Sequence, residues 1–296
     1  MNRQCHPRPP IRLLAVLAAF LAAACPPPCV RAARETVDGI AWVYDVEGGK
    51  AVLGACAVPR STEGTVTVPE RLGGCRVEGI GDYAFYNCTK IEEIVLPKGV
   101  ESVGEHVFED CTGLKRVELP DSLRGIGFYS FKGCTSLESV KLPRKIKTIG
   151  NYLFYGCSSL REVDFPAALE SIDWSAFSHC TALESVKLPS GTEQIRADAF
   201  NACHSLRKVV LPQGLERIRE NAFFDCKALE DFEIPASVEF VGAGAFAGSG
   251  LRKLVVKGKP EDEPYRDWGV PDGCEWLDGD GNPMPWQGDQ APQEGR

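Results

Sequence analysis

The sequence predicts an α/β repeat solenoid, in which every coil of the chain contributes one short parallel strand and one helical turn. From residue 80, seven segments of 23 residues follow one another without a gap, and a shortened eighth segment ends at residue 258. Apolar residues recur at fixed positions of each segment. Both observations are typical of stacked repeats, which bury a continuous core between coils. The segments begin at Ile80, Val103, Ile126, Ile149, Ile172, Ile195, Ile218 and Val241.

The predicted strand occupies positions 12 to 17 of the repeat. In the second segment these positions hold Leu114, Val117 and Leu119, and the last two alternate with polar residues, as a half-buried strand requires. Proline follows at position 18 in seven segments, from Pro97 to Pro235. It ends the strand because it lacks an N–H group and has a fixed φ.

The predicted helical turn begins with phenylalanine at position 6. Cysteine follows at position 9 and leucine at position 12, and this spacing of three turns all three side chains inward. The phenylalanines are Phe85, Phe108, Phe131, Phe154, Phe177, Phe200, Phe223 and Phe246. One coil cannot cover its own apolar face, so the coils must stack.

Seven cysteines recur once per coil and predict one inward column of structural thiols. They are Cys88, Cys111, Cys134, Cys157, Cys180, Cys203 and Cys226. In-register side chains point in parallel, which disfavours disulfides. No CxxC pair is present, so we predict no metal site. Cys56 and Cys75 flank the segment before the first repeat, and we consider a disulfide between them.

The regions outside the repeats divide into four parts. Residues 1–32 are typical of a signal peptide with cleavage near Ala32, because basic residues precede a short apolar run. An imperfect lipobox ending at Cys25 is the alternative and would add a lipid anchor. We expect residues 33–79 to form an N-terminal cap and lead-in segment.

The C-terminal region changes character after the last repeat. We expect residues 259–280 to form a C-terminal cap, with Trp268 and Trp276 covering the last coil. Residues 281–296 are rich in proline, glycine and polar residues, and we expect them to be disordered. No second hydrophobic segment follows the signal, so we expect no membrane span in the mature chain. We also expect the protein to be a monomer.

The net charge and the sequence motifs reduce the number of function classes to consider. The net charge of -8 disfavours a nucleic-acid partner. His106, His179 and His204 occupy three different repeat positions, and we find no nucleophile, phosphate-binding or metal-ligand motif. The chain is therefore predicted not to be an enzyme and to bind no cofactor. Position 13 alternates in sign from coil to coil, beginning with Glu92, Lys115 and Glu138, which predicts lateral charge pairs on the strand face.

Aromatic residues concentrate on the turns of the first five coils, at positions 3, 4 and 7. They are Tyr83, Tyr86, His106, Phe128, Tyr129, Tyr152, Tyr155 and Trp174. Neighbouring rings form either a binding strip for a glycan or protein, or a cover for the core. Later coils place Ser175, Asp198 and Asn221 at position 4, which confines any strip to the first half of the array.

The pattern I-G-x-x-A-F-x-x-C-x-x-L-x-x-V-x-L-P-x-x-L, repeated from Ile80 to Pro235, resembles the 23-residue leucine-rich repeat of bacterial BspA-like surface proteins. Val66, Val68 and Pro69 in the lead-in segment fall where strand residues and proline stand in that repeat. The resemblance implies a curved, right-handed superhelix at the cell surface, used in adhesion or host contact.

Two functions remain open from the sequence. The first is a non-catalytic, exported binding or adhesion protein, located at the cell surface, in the periplasm or in the medium, that recognises an extracellular protein or glycan through a repeat surface. The alternative is a structural or assembly component of the cell envelope. Fold resemblance alone does not choose between them.

Overall fold

A computed structural model describes residues 32–258 and 265–284. The N-terminal cap is an antiparallel meander of β1 (Ala33–Val37), β2 (Ile40–Glu47) and β3 (Lys50–Leu53). Residues 1–31 of the predicted signal peptide, including Cys25, lie outside the described residues. Only its last residue, Ala32, is described. Residues 259–264 and 285–296 also lie outside the described residues.

The remaining strands alternate between two strips that run along a solenoid of about ten turns. They are β4 (Gly64–Thr67), β5 (Arg71–Leu72), β6 (Cys75–Ile80), β7 (Ile91–Val95), β8 (Ser102–Val103), β9 (Arg116–Glu118), β10 (Gly125–Ile126), β11 (Ser139–Lys141), β12 (Thr148–Ile149), β13 (Glu162–Asp164), β14 (Ser171–Ile172), β15 (Ser185–Lys187), β16 (Gln194–Ile195), β17 (Lys208–Val210), β18 (Arg217–Ile218), β19 (Asp231–Ile234), β20 (Phe240–Val241), β21 (Lys253–Val256) and β22 (Glu275–Asp278).

The front strip contains β4, the odd-numbered strands from β7 to β21, and β22. The side strip contains β3, β6 and the even-numbered strands from β8 to β20, and β5 pairs with it only through β6, in antiparallel orientation. Pairing between coils is parallel and in register over one repeat, as in Val140 opposite Val163 and Ile149 opposite Ile172. The predicted stack of parallel strands is thereby confirmed. In the lead-in segment, Val66 pairs with Ile94 and completes an additional coil before the first repeat.

The helical turn predicted for each coil is wrong. The only helical segment among the described residues is a 3-10 turn, Tyr265–Trp268, outside the repeats, so the fold is a β-solenoid and not an α/β one. Two residues per coil explain this. In the first coil Tyr83 and Asn87, at positions 4 and 8, have φ of 59° and 57°, and this left-handed conformation breaks a right-handed helix.

In the turn segment of each coil, successive backbone N–H groups donate alternately to the next coil and to their own coil. The N–H groups of Tyr83 and Phe85 donate to the carbonyls of Glu105 and Val107 in the next coil. The intervening N–H of Ala84 donates within its own coil, to the carbonyl of Gly81, over 3.3 Å. The segment is therefore a run of β-turns that also bonds coil to coil, and its carbonyls are satisfied without an α-helix.

The core is a column of stacked side chains along the solenoid axis. All eight repeat phenylalanines are fully buried, and the ring centroids of Phe108 and Phe131 are 5.0 Å apart. Trp42 packs edge-on against Phe85 at the N-terminal end. At the other end Trp268 and Trp276 are buried, with ring centroids 5.9 Å apart, and β22 continues the front strip. The apolar core is thus covered at both ends.

The predicted disorder from residue 281 does not hold for residues 281–284. Asp278 accepts hydrogen bonds from the N–H groups of Asp280 and Asn282, which makes a tight turn. The N–H of Met284 then donates to the carbonyl of Trp276 over 2.9 Å. Nothing helical in the described ranges is long and apolar enough to cross a membrane.

Candidate functional site

Four rings at position 4 stack face to face on the turn surface. The ring centroids of Tyr83 and His106, and those of His106 and Tyr129, are 4.7 Å apart, and those of Tyr129 and Tyr152 are 4.9 Å apart. Their interplanar angles are at most 7°. The coil spacing places each ring directly over the next. We call these four residues the aromatic ladder.

The ladder stands on backbone that aromatic residues rarely adopt. The φ angles of Tyr83, His106, Tyr129 and Tyr152 lie between 56° and 61°. In L-residues with a bulky side chain, the left-handed region is uncommon and costs roughly 1 to 2 kcal/mol. The same position in later coils holds Ser175, Asp198, Asn221 and Gly244.

The core does not need the ladder as a cover. In the last four coils position 4 carries no ring, yet Phe177, Phe200, Phe223 and Phe246 are as completely buried as the phenylalanines of the first four coils. The sequence left two alternatives, a binding strip, or rings that stack on one another and cover the core. The rings do stack on one another, but the later coils bury their core without them. The ladder is a feature added to the surface of an already complete solenoid.

A buried carboxylate that sequence reasoning missed lies against the ladder. Glu109 is buried, and its two oxygens contact Nδ1 of His106 and, over 2.8 Å, Nζ of Lys132. Burial opposes the charge of Lys132, but the hydrogen bond and attraction to Glu109 outweigh it, and the pKa of Lys132 is raised. Glu109 and Lys132 both occupy position 7 in adjacent coils, so aligning the repeats by charge would have found the pair.

The remaining aromatic residues surround the ladder. Tyr86 packs edge-on against Tyr83, and Tyr155 packs against both Tyr152 and His179. Phe128 and Trp174, both at position 3, do not join the stack and are 39% and 54% exposed. The structure thus gathers the predicted aromatic residues on one surface of the first five coils.

The seven repeat cysteines are buried free thiols in a single column. From Cys111 onward each thiol donates to the carbonyl of the phenylalanine in the preceding coil, as Cys134 does to Phe108 over 3.1 Å. Burial raises the pKa of Cys88 to about 11 and that of Cys226 to about 12. The thiols are therefore protonated donors.

The Cys56–Cys75 disulfide considered from the sequence is wrong. Cys75 is a free thiol, whereas Cys56 is disulfide-bonded. Cys56 follows Leu53, which pairs with Ile80 at the far end of β6 from Cys75. Five strand residues span roughly 16 Å, beyond the reach of a disulfide.

Comparison with known families identifies the repeat. The family described as BspA type leucine rich repeat region matches the chain with six copies, over residues 78–207 and 159–261. The chain belongs to this BspA-type family. A search of curated protein sequences finds no significant match.

Solved structures of bacterial leucine-rich repeat proteins resemble this BspA-type chain. One, from Bacteroides ovatus ATCC 8483, has a TM-score of 0.58 and 24% identity, covering 77% of this chain and 70% of that one. Another is a leucine rich cell surface protein from Faecalibacterium prausnitzii A2-165, with a TM-score of 0.55 and 26% identity. The match covers 78% of the BspA-type chain and 57% of the Faecalibacterium protein.

The three histidines in the described part of this BspA-type chain contact different partners. His106 lies inside the ladder, His179 packs edge-on against Tyr155, and Nε2 of His204 lies 2.9 Å from a carboxylate oxygen of Asp225. Within residues 32–258 and 265–284, no group of three histidine, cysteine or acidic side chains is placed to hold a metal ion. What this surface offers a ligand is ring edges, hydroxyls and exposed apolar faces.

Proposed function

We propose that this chain is a non-catalytic, exported protein of the bacterial cell surface that binds an extracellular protein or glycan through the aromatic turn surface of its first five coils. The family and the Faecalibacterium cell surface protein support the location. The signal peptide expected at residues 1–32 would export the chain, with lipidation at Cys25 as the alternative anchor. The caps at both ends suit a monomer that does not extend by end-to-end association.

The aromatic ladder is the observation that carries this proposal. Each ladder residue costs roughly 1 to 2 kcal/mol in backbone strain. A stacked pair returns only about 0.5 to 1.5 kcal/mol beyond its buried area. The gain in stability is therefore small, and residues such as Asn221 fill the same position with less strain. Since the core is complete without the ladder, a role in binding explains why the rings are kept.

A double substitution, Tyr129→Asn with Tyr152→Asn, tests this function. Asparagine tolerates the left-handed backbone, so the coils keep their conformation while two rings are lost. Binding is measured on arrays of extracellular-matrix proteins and of glycans. We expect the wild type to be captured by one class and the double variant to bind at least about tenfold more weakly. Phe224→Ala, which removes an exposed ring from the seventh coil, is the matched control and keeps full binding.

Equal capture of the double variant and the wild type would exclude the ladder as the binding surface. A wild type that binds neither array would favour the alternative role as a structural or assembly component of the envelope. The front strip supports that alternative, because charges there pair with one another, as Lys115 does with Glu92 over 2.8 Å. A self-neutralised face suits a spacer better than a docking patch for a charged partner.

A further inference from the structure

We propose that Phe128, Asn151 and Trp174 form a cleft that holds one neutral pyranose ring of a glycan. This inference rests on the proposed function and assigns the ligand class for one part of that surface. The three residues occupy position 3 in the third, fourth and fifth coils. Among the repeats, only these coils combine two aromatic residues with an intervening amide at this position.

The backbone spaces the two rings for a sandwich. The carbonyls of Asn151 and Trp174 accept the N–H groups of Tyr129 and Tyr152 in the preceding coils, over 3.1 and 2.9 Å, so position 3 is in register. Coils separated by about 4.8 Å place Phe128 and Trp174 roughly 10 Å apart. A ring held in van der Waals contact with an aromatic face on each side needs roughly 7 to 8 Å between those faces. The side chains therefore need only a small lean toward each other.

Both walls of the cleft are open to solvent. Phe128 and Trp174 are two of the three large aromatic side chains that are exposed in the described part of the chain. The ring of Phe128 lies across Gly150, where a Cβ would come within 2.7 Å of its Cδ1 atom. Gly150 thus leaves the space that lets Phe128 lean toward the fourth coil.

The floor of the cleft offers a hydrogen-bond donor. Oδ1 of Asn151 accepts the backbone N–H of Trp174 over 3.2 Å. This bond fixes the orientation of the amide and leaves its NH2 group to donate to a ligand. The hydroxyls of Tyr129 and Tyr152 belong to the adjacent ladder. Aromatic walls with an amide and hydroxyls at the rim match a pyranose, which has C–H groups on its faces and hydroxyls around its edge.

The surrounding charges favour a neutral ligand. Asp173, next to Trp174, is ion-paired with Arg196 over 3.0 Å. Glu109 is satisfied by His106 and Lys132. Neither carboxylate offers an unpaired charge to a cationic side chain of a protein partner. Arg196 and Lys132 are engaged in the same pairs, which disfavours the selection of an acidic sugar.

The test uses cellohexaose, maltohexaose and N-acetylchitohexaose as soluble probes. Binding is measured by calorimetry and by tryptophan fluorescence. Trp174 is 54% exposed, whereas Trp42, Trp268 and Trp276 are buried and Trp286 lies outside the described residues, so the part of the emission change that Trp174→Ala abolishes is assigned to Trp174. We expect at least one probe to bind and to shift the emission. Trp174→Ala and Phe128→Ala should each weaken binding at least about tenfold. Phe224→Ala is the matched control, because Phe224 and Phe128 are both 39% exposed.

Asn151→Asp is a sharper variant. Aspartate keeps the oxygen that accepts the Trp174 N–H but cannot donate, so we expect a folded protein with at least about tenfold weaker sugar binding. Absence of binding for all three probes at about 10 mM, or undiminished binding by Trp174→Ala, overturns the cleft. Capture of a matrix protein that is lost with Tyr129→Asn and Tyr152→Asn but kept by Trp174→Ala also overturns it, while the proposed function stands.

Discussion

The thiol of Cys134 donates a hydrogen bond to the backbone carbonyl of Phe108 in the preceding coil, over 3.1 Å. The same carbonyl accepts the N–H of Cys111 in its own coil, also over 3.1 Å. A carbonyl oxygen has two lone pairs, and the second is filled here by a side chain because the neighbouring turn supplies no further N–H group. Cysteine thus acts both as a small buried apolar residue and as a bond between coils.

Replacing one thiol in the middle of the column should weaken the array measurably. Cys157→Ala removes a buried sulfur and its hydrogen bond to Phe131. We expect the free energy of unfolding, measured with urea, to fall by about 1 to 2 kcal/mol. Cys274→Ala, at a half-buried free thiol outside the repeats, is the control and should change it by less than about 0.5 kcal/mol. A Cys157→Ala protein as stable as the control would contradict a structural role for this bond.

The thiol column also predicts steep loss of stability in alkali. Burial raises the pKa of the column thiols, to about 11 for Cys88 and about 12 for Cys226, from an ordinary value of 9.0. Above pH 9 the unfolded chain loses these protons while the folded chain keeps them, so stability falls as pH rises toward the folded values. Each fully protected thiol contributes a slope of roughly 1.4 kcal/mol per pH unit.

Urea unfolding at pH values from 8 to about 11 measures this slope. A variant with Cys134→Ala and Cys157→Ala is the comparison, and its slope should be shallower by roughly 2.7 kcal/mol per pH unit. Equal slopes in the two proteins would show that tyrosines or lysines, and not thiols, govern alkaline unfolding.

A charge pair on the front strip tests whether lateral neighbours contribute to stability. Nζ of Lys115 lies 2.8 Å from Glu92 in the preceding coil, and both side chains are more than half exposed. Glu92→Lys should lower the free energy of unfolding slightly at low salt, because like charges then face each other. Adding Lys115→Ala should relieve this repulsion without placing a carboxylate beside Glu138 in the next coil. Failure of the second change to compensate, or an effect that persists in about 1 M salt, would speak against a direct pair.

The stacking of this protein could be predicted from sequence because it depends on residue identity at a fixed spacing. A period of 23 residues places Val140 beside Val163, and proline at position 18 ends the front strand in seven coils. The same spacing places Tyr129 beside Tyr152 in the ladder. These features require only that the coils be in register, which near-identical segments ensure.

The conformation of the turns could not be predicted in the same way. A spacing of three between Phe131 and Cys134 suits a helical turn and a β-turn equally. The deciding feature is the left-handed backbone at positions 4 and 8, yet position 8 holds Gly133 and Gly156 in two coils but His179 and Ala202 in the next two. Backbone bonding between coils imposes this conformation whatever the residue, so the local sequence carries no consistent signal for it.

Gly156 provides the direct test of this turn conformation. Its φ is 72°, and a Cβ added at this residue would lie 4.0 Å from its nearest neighbour, the backbone nitrogen of Gly133. Gly156→Ala should therefore lower the free energy of unfolding by about 1 kcal/mol through backbone strain alone, since there is room for the methyl group. Gly156→Asn should cost less, because asparagine tolerates this region better than alanine does.

The matched control is Gly125→Ala in β10, where the added Cβ meets no atom within 4 Å and φ is not left-handed. Alanine there should be neutral or stabilise by up to about 1 kcal/mol, because it restricts the unfolded chain. A helical turn at position 8 would reverse the first result, since alanine favours a helix over glycine by about 1 kcal/mol. A more stable Gly156→Ala protein would thus contradict the β-turn structure, and with it the left-handed backbone on which the aromatic ladder stands.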